Sequence, residues 1–422
     1  MKQRKRLYIL LLLLFPVIAA AQNRFPKPDF ESGYTYPVFT YYTPDETFWV
    51  AIDLALLVLL MSLVAWAVIR KKRRAPVMWV SVVSVAYFGF FRSGCVCSVG
   101  SIQNIALALA DSSYAMPLAV LLFFALPILF TLLFGRVFCA GVCPMGALQE
   151  LVNVKNFRLP RPVAAALGIV PWIYLSFAVL YAATRSGFII CRFDPFIGIF
   201  RLGGDLGMIF FGTALLLAAV FTGRPFCRFL CPYGALLGLF SRVSIWKIKI
   251  TPSCISCDLC RSACPLDAIR PPYENKVKES RVLGVKRILT YLIFLPVMAL
   301  AGALTLHRLS DFFSRANKEV QLYDMVAQNE RAPQASPPLN VEVFYAQGGT
   351  IDALSLRTEN IREKFKIGAA LAGACLGIVV GCTLIRLSLK RTRKTYEVDD
   401  DACVSCGRCF GYCPQNRKKW IT

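Results

Sequence analysis

Two stretches of the sequence, GRVFCAGVCPMGAL at residues 135–148 and GRPFCRFLCPYGAL at residues 223–236, repeat one motif. Most positions coincide, and each copy carries a Cys-x-x-x-Cys-Pro pair. An Arg-Ser-Gly triplet precedes each copy, at residues 92–94 and 185–187, and a cysteine follows each triplet. One structural unit is therefore used twice in the chain.

The composition around this repeat is that of a membrane protein. Hydrophobic residues make up 56% of the 422 residues and charged residues only 17%, which excludes a purely soluble enzyme. Apolar segments near the roughly 20 residues that a bilayer crossing needs are predicted to be membrane helices. They lie at 48–69, 77–94, 117–134, 163–183, 206–222, 287–306 and 367–385.

The charges predict the orientation of these segments. The net charge is +23, and the excess sits in short runs beside apolar segments, as the positive-inside rule requires, instead of forming a nucleic-acid surface. The basic run 70–74 marks the cytoplasmic side, and alternation from there places 135–162, 223–286 and the tail from Arg386 inside. The polar stretch 307–366 then falls outside, where we expect a small helical cap or a docking loop.

The amino terminus has the parts of a secretory signal. A basic start at residues 1–6, a short apolar run at 7–18 and small residues up to Ala21 follow one another. We expect cleavage near Ala21, with an uncleaved anchor as the alternative. Either outcome leaves a short segment, 22–47, outside.

Two further cysteine runs predict iron-sulfur clusters. CISCDLCRSACP at 254–265 and CVSCGRCFGYCP at 403–414 each have the spacing of a bacterial ferredoxin, in which three cysteines bind one cubane and the fourth binds the other. The predicted ligands of cluster one are Cys254, Cys257, Cys260 and Cys413, and those of cluster two are Cys403, Cys406, Cys409 and Cys264. Both runs must then lie on one side, and the charges place both in the cytoplasm. A zinc ribbon and disulfides are the less favoured alternatives.

The repeated cysteine pairs, Cys139 with Cys143 and Cys227 with Cys231, leave several readings open. A spacing of four predicts both sulfurs of a pair on one helical face, with the following proline beginning a new helix. Parallel repeats pack about an axis along the membrane normal, so the two pairs are expected to meet. Four alternatives remain open for these cysteines: a four-thiolate metal or cluster site, a redox-active dithiol, a turn lining a quinone pocket, or cysteines that only pack.

Three more cysteines, Cys95, Cys97 and Cys191, are predicted to meet on the outer side. A disulfide would leave one free thiol, whereas a three-thiolate site would suit copper(I) or an iron-sulfur cofactor that needs a fourth ligand. Arginines of the same outer region are predicted to pair with Asp194 and Asp205, or to face an anionic partner. These arginines are Arg185, Arg192 and Arg201.

Four other residues complete the set of candidates. Asp53 and the single histidine, His307, are each either a proton acceptor from a quinol or a solvated interfacial group. One histidine excludes bis-histidine haem ligation. Cys375 and Cys382 are expected to be inert, within a small-residue stripe (Gly373, Gly377, Gly381) that favours close helix packing.

The predicted fold is mainly α: a polytopic membrane protein of about six or seven spans, with an internal parallel repeat of helical hairpins and a cytoplasmic ferredoxin-like domain assembled from two separated segments. The domains expected after the signal peptide (1–21) and the outer segment (22–47) follow in chain order. They are the repeated core (48–240), the first ferredoxin segment (241–286), a span (287–306), a periplasmic segment (307–366), a span (367–386) and the second ferredoxin segment (387–422).

The doubled Phe-Cys-x-x-x-Cys-Pro-x-Gly-Ala-Leu motif, the two ferredoxin runs and the intervening Cys191-Arg-Phe-Asp-Pro-Phe196 resemble the NosR/NapH-type membrane polyferredoxins over roughly residues 48–422. The resemblance implies electron supply to, or maturation of, periplasmic reductases such as nitrous oxide or nitrate reductase. NosR-like proteins also carry a flavin domain, and residues 23–47 are too few for one, so any flavin is expected on a separate subunit.

The sequence thus predicts a bacterial inner-membrane electron-transfer protein with two [4Fe-4S] clusters. A further metal or cluster at the membrane cysteines is an additional candidate. Its expected partners are membrane lipid and a periplasmic redox enzyme or flavoprotein subunit. Quinol is a candidate substrate, which would make the chain a quinol dehydrogenase subunit. The alternative function is assembly or regulation of a periplasmic metalloenzyme.

Overall fold

The computed structural model describes residues 47–94, 97–251, 254–273, 281–331, 337–389 and 392–418. The expected signal peptide, nearly all of the short outer segment and Cys95 lie outside the described residues. Within them the chain is mainly helical, with one two-stranded sheet.

The first part of the chain carries twelve α-helices among its described residues. They are α1 (Thr47–Ala65), α2 (Ala75–Ser84), α3 (Ser98–Ala110), α4 (Leu118–Phe134), α5 (Pro144–Val152), α6 (Arg161–Leu167), α7 (Val170–Ala183), α8 (Ile189–Arg192), α9 (Ile197–Phe200), α10 (Leu206–Thr222), α11 (Pro225–Phe229) and α12 (Pro232–Ser241). Short π-helical stretches continue α1 and α2, and another precedes α5; they lie at Trp66–Arg70, Val85–Phe91 and Phe138–Val142.

The second part combines a long helical hairpin with short elements. Its described helices are α13 (Leu259–Ala263), α14 (Arg281–Arg308), α15 (Ser310–Ser314), α16 (Lys318–Arg331), α17 (Leu339–Ala346), α18 (Ile351–Ser388), α19 (Arg408–Tyr412) and α20 (Pro414–Lys418). The strands are β1 (Ile269–Arg270) and β2 (Glu397–Val398).

All seven predicted apolar segments are helical. Four helices among the described residues are long and apolar enough to cross a membrane, at Phe48–Arg70, Arg161–Ala183, Gly284–Arg308 and Ile351–Ser388. The other predicted segments form shorter apolar helices, at Ala75–Phe91, Leu118–Phe134 and Leu206–Thr222. The membrane character is therefore clear, whereas the total of seven spans stays a prediction.

Helix α3 is an element that the sequence analysis did not predict. It lies in a segment expected to be an outer loop, yet its first turns are buried and it packs against α4, α7 and α12. The chain therefore folds back into the helical core directly after Cys97. This places Cys97 inside the protein instead of at its surface.

Helices α14 and α18 form a tightly packed hairpin. A Cβ atom added to Gly373 would overlap the backbone of Gly302, and one added to Gly377 would overlap the carbonyl oxygen of Met298. Only glycine permits this approach, so the close packing predicted for the small-residue stripe is confirmed. Cys375 and Cys382 on the same helix are exposed.

This hairpin brings the two ferredoxin segments together. Strand β1 follows the first cysteine run and β2 precedes the second, and they pair antiparallel with Ile269 opposite Val398. The short helices α13 and α19, one from each run, also pack against each other. The two segments thus form one small unit although α14 to α18 separate them in the chain. Helices α15 to α17 lie within the predicted outer stretch 307–366, where a small helical cap was one expectation.

Candidate iron-sulfur and thiol sites

The two ferredoxin runs adopt the same loop conformation. Ser256 and Asp258 in the first run have positive φ angles of 54° and 57°, and the equivalent Ser405 and Gly407 in the second have 53° and 70°. Left-handed residues in such loops turn successive backbone N–H groups inward, forming the concave nests that hold anionic groups, including iron-sulfur clusters. Each run therefore has the backbone that a cubane needs.

The structure brings the predicted ligands together in two sets. The electrostatic neighbours of Cys260 include Cys254, Cys257 and Cys413. Those of Cys409 include Cys403, Cys406 and Cys264. Each set contains three cysteines of one run and the last cysteine of the other, as the spacing predicts.

The chemistry of these cysteines fits a cluster. Burial raises the pKa of Cys403 to about 12 and that of Cys264 to about 11. Crowded, buried thiols ionise only where positive charge compensates them, and iron ions supply that charge. Within the described part of the chain, no group of three or more His, Cys, Asp or Glu side chains is arranged to hold a single metal ion. Cluster ligands bind different iron atoms, so they need not converge on one point.

The second set lies closer to the membrane core than the first. Cys264, Cys403, Cys406 and Cys409 all pack against the main hydrophobic core. In the first set, by contrast, Cys257 is exposed, and so are the neighbouring Ile255 and Leu259. Cluster two therefore faces the core, and cluster one faces outward.

Each copy of the repeat touches one of the ferredoxin runs at its Gly-Arg pair. Gly135 has a φ of +73°, and a Cβ atom there would lie 3.2 Å from Ser405 Oγ. Gly223 has a φ of +82°, and a Cβ atom there would collide with the carbonyl of Pro265. The two glycines let the ferredoxin unit sit directly on the repeated core.

A buried carboxylate fastens this contact. Glu150 on α5 accepts hydrogen bonds from Arg74 at 2.8 Å, Arg224 at 3.0 Å and Arg408 at 2.7 Å. Burial alone would raise the pKa of Glu150, but the positive charges of Arg224, Arg408 and Arg74 lower it below its ordinary value. Arg408 belongs to the second ferredoxin run, and it also donates to Asn153 at 2.5 Å. One carboxylate thus links the ferredoxin unit with both copies of the repeat.

The four repeat cysteines Cys139, Cys143, Cys227 and Cys231, called here the inner thiol site, lie together. Cys143 has the other three as its electrostatic neighbours. The prediction that each pair shares a helical face is wrong, because Cys143 and Cys231 have extended backbones (ψ of 118° and 111°) and cap the helices that follow. The proline after each cysteine disfavours helical backbone at the cysteine and begins α5 or α12.

The inner thiol site is built with the symmetry of the repeat. Arg224 lies 3.4 Å from the position of a Cβ on Gly146, and the equivalent Arg136 lies 3.2 Å from that of a Cβ on Gly234. Each arginine therefore reaches across to the opposite copy. Arg224 is also an electrostatic neighbour of both Cys227 and Cys406, so it lies between the inner thiol site and cluster two.

Cys97 and Cys191 also come together, as the repeat predicts. Both sulfurs lie within 4 Å of the position that a Cβ on Gly100 would take, and both cysteines are free thiols. Cys95, the third predicted member, is outside the described residues. Asp194 is buried beside them, 4% exposed, and is an electrostatic neighbour of both sulfurs.

Several predicted charge partners differ in the structure. Arg185 pairs with Asp111, not with Asp194 or Asp205, because it lies at the turn that faces the end of α3. Asp205 instead caps α10 by accepting from the backbone N–H of Gly207. Arg201 remains an electrostatic neighbour of Asp194.

The two candidate proton acceptors lie in different surroundings. The favoured solvated reading of Asp53 is wrong, since this residue is 1% exposed, pairs with Arg92 at 2.9 Å and accepts from the Tyr87 hydroxyl at 2.9 Å. His307 lies in the last turn of α14, with its Nδ1 atom 3.3 Å from the carbonyl oxygen of Lys366.

Two tyrosines, which the sequence analysis missed, lie between the groups of thiols. Tyr233 is 1% exposed and donates to the carbonyl of Phe124 at 2.7 Å. Its electrostatic neighbours are Cys97 and three cysteines of the inner thiol site, Cys139, Cys143 and Cys231. Tyr174 likewise neighbours Cys231 and Cys191. Tyr233 follows the repeated Cys-Pro motif directly, where the first copy has Met145, and this difference was the available signal.

Comparison with known proteins supports an iron-sulfur assignment. Residues 116–162 and 205–251 match a family described as a 4Fe-4S binding domain. Each match contains one Cys-x-x-x-Cys-Pro pair of the inner thiol site and ends before the ferredoxin runs. The family resemblance therefore concerns the repeated core itself.

Relatives resemble part of the chain. An uncharacterized protein of Methanocaldococcus jannaschii is 29% identical over 43% of this chain and 77% of its own length. YccM of Escherichia coli is 31% identical over 40% of this chain and 52% of its own length. The regulatory protein NosR of Pseudomonas aeruginosa is 34% identical over 33% of this chain and 22% of its own length. The chain thus spans about half of YccM and a fifth of NosR.

Further matches include the ferredoxin-type protein NapH of Escherichia coli. These findings confirm the predicted resemblance: the chain is similar to membrane polyferredoxins of the NosR/NapH type, and its repeated core matches a 4Fe-4S binding domain. No solved structure matches the chain.

Proposed function

We propose that the chain carries electrons across the bacterial inner membrane, between a cytoplasmic ferredoxin-like unit and a redox partner on the outer side. The observation that carries this proposal is the continuous order of the cysteine groups. Cys260 of cluster one neighbours Cys409 of cluster two, and Arg224 lies between Cys406 and Cys227. Tyr233 then lies between the inner thiol site and Cys97.

This order addresses the distance that electrons must cover. The hydrocarbon core of a bilayer is about 30 Å thick, too wide for one efficient transfer step. Helices α3 and α5 each begin after a cysteine and pack within the helical core, so thiols of both groups lie inside the protein. Electrons could then cross the bilayer in several short steps between neighbouring thiol groups, whereas a single buried cofactor would leave steps that are too long.

We propose that the inner thiol site holds a third [4Fe-4S] cluster. Four buried or half-buried cysteines from two equivalent motifs supply the ligands, and the match to a 4Fe-4S binding family covers both motifs. Arg136 and Arg224 offset the negative charge of the thiolates. Such a cluster would supply one-electron chemistry. Arg224 donates to the backbone carbonyl of Cys139, and Gln149 accepts from the backbone N–H of Phe226, the residue before Cys227, so both hold the ligand loops in place.

The test is the iron content of the full chain after anaerobic purification. Together with the two clusters of the ferredoxin unit, a cubane at the inner thiol site predicts at least about twelve iron atoms and as many sulfides per chain, since each cubane holds about four of each. Electron paramagnetic resonance of the reduced protein should then show several interacting clusters. About eight iron atoms would limit clusters to the ferredoxin unit, and zinc in place of iron would contradict the proposal altogether.

We infer that the ferredoxin unit is cytoplasmic and that residues 307–366 are periplasmic. Alkaline phosphatase inserted after the exposed Gly348 should therefore be active, and a green fluorescent protein fused after residue 418 should fluoresce. Helix α18, which is long and apolar enough to cross a membrane, separates the two positions. The same reporter response at both positions would contradict this orientation.

For the redox partner on the outer side, we infer only the type of respiration in which it acts. Relatives named for NosR, NirI and NapH support a role in denitrification or nitrate respiration. A second candidate is regulation or assembly of a periplasmic metalloenzyme, which the name regulatory protein NosR favours. A deletion strain separates them: loss of electron supply leaves the partner enzyme fully metallated, whereas loss of an assembly factor does not.

A further inference from the structure

The surroundings of Cys97 and Cys191 copy those of the inner thiol site. At the inner site, Cys143 occupies the N-cap position of α5, three residues before Gly146, and the equivalent Cys231 caps α12 by accepting from the backbone N–H of Gly234 at 3.2 Å. At the second site, Cys97 caps α3 and its sulfur accepts from the backbone N–H of Gly100 at 3.3 Å. The sequences CPMGALQ (143–149) and CSVGSIQ (97–103) share the cysteine, the glycine and a final glutamine at matching positions.

The two glutamines accept the same type of backbone hydrogen bond, each from the residue that precedes a cysteine. Gln149 Oε1 accepts from the backbone N–H of Phe226 at 3.0 Å, and its Nε2 donates to the sulfur of the next residue, Cys227, at 3.7 Å. Gln103 Oε1 accepts from the backbone N–H of Ile190 at 2.9 Å, and the next residue is Cys191.

The distances to the glycines also agree. A Cβ on Gly146 would lie 3.4 Å from Cys227 Sγ, and a Cβ on Gly100 would lie 3.3 Å from Cys191 Sγ. Cys97 and Cys191 thus occupy the positions of Cys143 and Cys227.

The correspondence extends to a carboxylate. Residues 227–232 read CRFLCP, and residues 191–195 read CRFDP, so Asp194 precedes a proline as Cys231 does. Asp194 Oδ1 accepts from the backbone N–H of Phe196 at 2.9 Å, much as Cys231 Sγ accepts from Gly234 at 3.2 Å. A buried carboxylate therefore stands where the inner thiol site has a ligand.

One polar group of this region has no partner of its own. Gln103 is fully buried, and its Nε2 atom has no hydrogen-bond partner among the residues that the structure describes. Leaving such a donor unpaired is costly, so it points to an acceptor that belongs to a bound group. Its counterpart Gln149 directs the same atom at a ligand sulfur.

We propose that Cys97, Cys191 and Asp194 bind a further iron-sulfur cluster, with Gln103 donating a hydrogen bond to one of its sulfur atoms. Mixed thiolate and carboxylate ligation suits iron, which accepts both donor types. This inference rests on the proposal that the inner thiol site holds a cluster. It replaces the disulfide reading of these cysteines.

The test compares iron and acid-labile sulfide in variants of the full chain purified anaerobically. Cys191→Ser is expected to lose about three to four iron atoms with matching sulfide, the content of one cluster. Asp194→Cys is expected to keep the iron and to change the paramagnetic resonance spectrum of one cluster. Asp205→Asn and Cys375→Ser, which alter a carboxylate and a thiol elsewhere, serve as controls and should match the wild type.

The outcomes separate the two proposals. Iron loss in Cys227→Ser but not in Cys191→Ser overturns the second site and leaves the inner cluster standing, whereas no loss in either variant overturns both. A disulfide joining Cys97 and Cys191 in the wild type would also overturn the second site. If Cys191→Ser fails to accumulate, Asp194→Cys decides, because an unchanged spectrum excludes residue 194 as a ligand.

Discussion

Replacing Cys139 or Cys227 by serine is expected to remove about four iron atoms per chain and to stop electron transfer across the membrane. These cysteines are equivalent positions of the two repeats, and both belong to the proposed inner cluster. Serine is a poor ligand of iron, so either change leaves the cluster with three thiolates. The two variants should therefore behave alike.

The measurement combines iron and sulfide content with electron transfer in proteoliposomes, from a reductant on one side to an acceptor dye on the other. Cys382→Ser is the matched control, because Cys382 is an exposed cysteine on α18. The ferredoxin clusters should still be reduced in the variants. Wild-type iron content together with wild-type transfer would rule out the inner thiol site as a relay.

Replacing Glu150 by alanine is expected to destabilise the protein by about 3–5 kcal/mol, the usual cost of leaving a buried charge without its partner. Three arginines donate to this carboxylate, and Arg224 is fully buried. The negative charge of Glu150 compensates the positive charges of these arginines at a buried position that water does not solvate. Because Arg408 belongs to the ferredoxin unit, its attachment to the core should loosen as well.

The loss would appear as a lower thermal unfolding temperature in detergent and as faster proteolysis of the second ferredoxin segment. Glu359→Ala, which removes an exposed carboxylate from α18, is the control and should change little. Glu150→Gln keeps the shape and should fall between the two. An effect of Glu150→Ala as small as that of the control would show that the network does not stabilise the fold.

The parts of the fold that could be predicted from sequence are those set by local patterns. Continuous apolar runs gave the helices, and the spacing within each ferredoxin run gave the ligand sets that the structure brings together. Both signals depend on neighbouring residues along the chain. Such local patterns are good predictors because an apolar run needs burial, and a cysteine loop needs its turns, whatever the rest of the chain does.

The features that were missed depend on contacts between distant segments. Nothing in the residues around Asp53 indicates that Arg92 and Tyr87 cover it. Helix α3 is apolar but shorter than a membrane span, so its sequence alone does not indicate that it folds back into the core. The position of Tyr233 between two groups of thiols likewise follows only from the packing of α12 against α3 and α4.

The split ferredoxin unit also constrains how the protein is made. The ribosome synthesises the first run before α14 and the second only after α18. Cys264 therefore has no partner cysteines from the second run until the whole hairpin has been synthesised. Each cluster proposed for the ferredoxin unit takes ligands from both runs, and cluster one lacks its fourth ligand until Cys413 has been synthesised. Cluster insertion must therefore follow translation and membrane integration of the hairpin. A nascent chain halted within α18 would leave the four cysteines of the first run with no complete cluster to protect them.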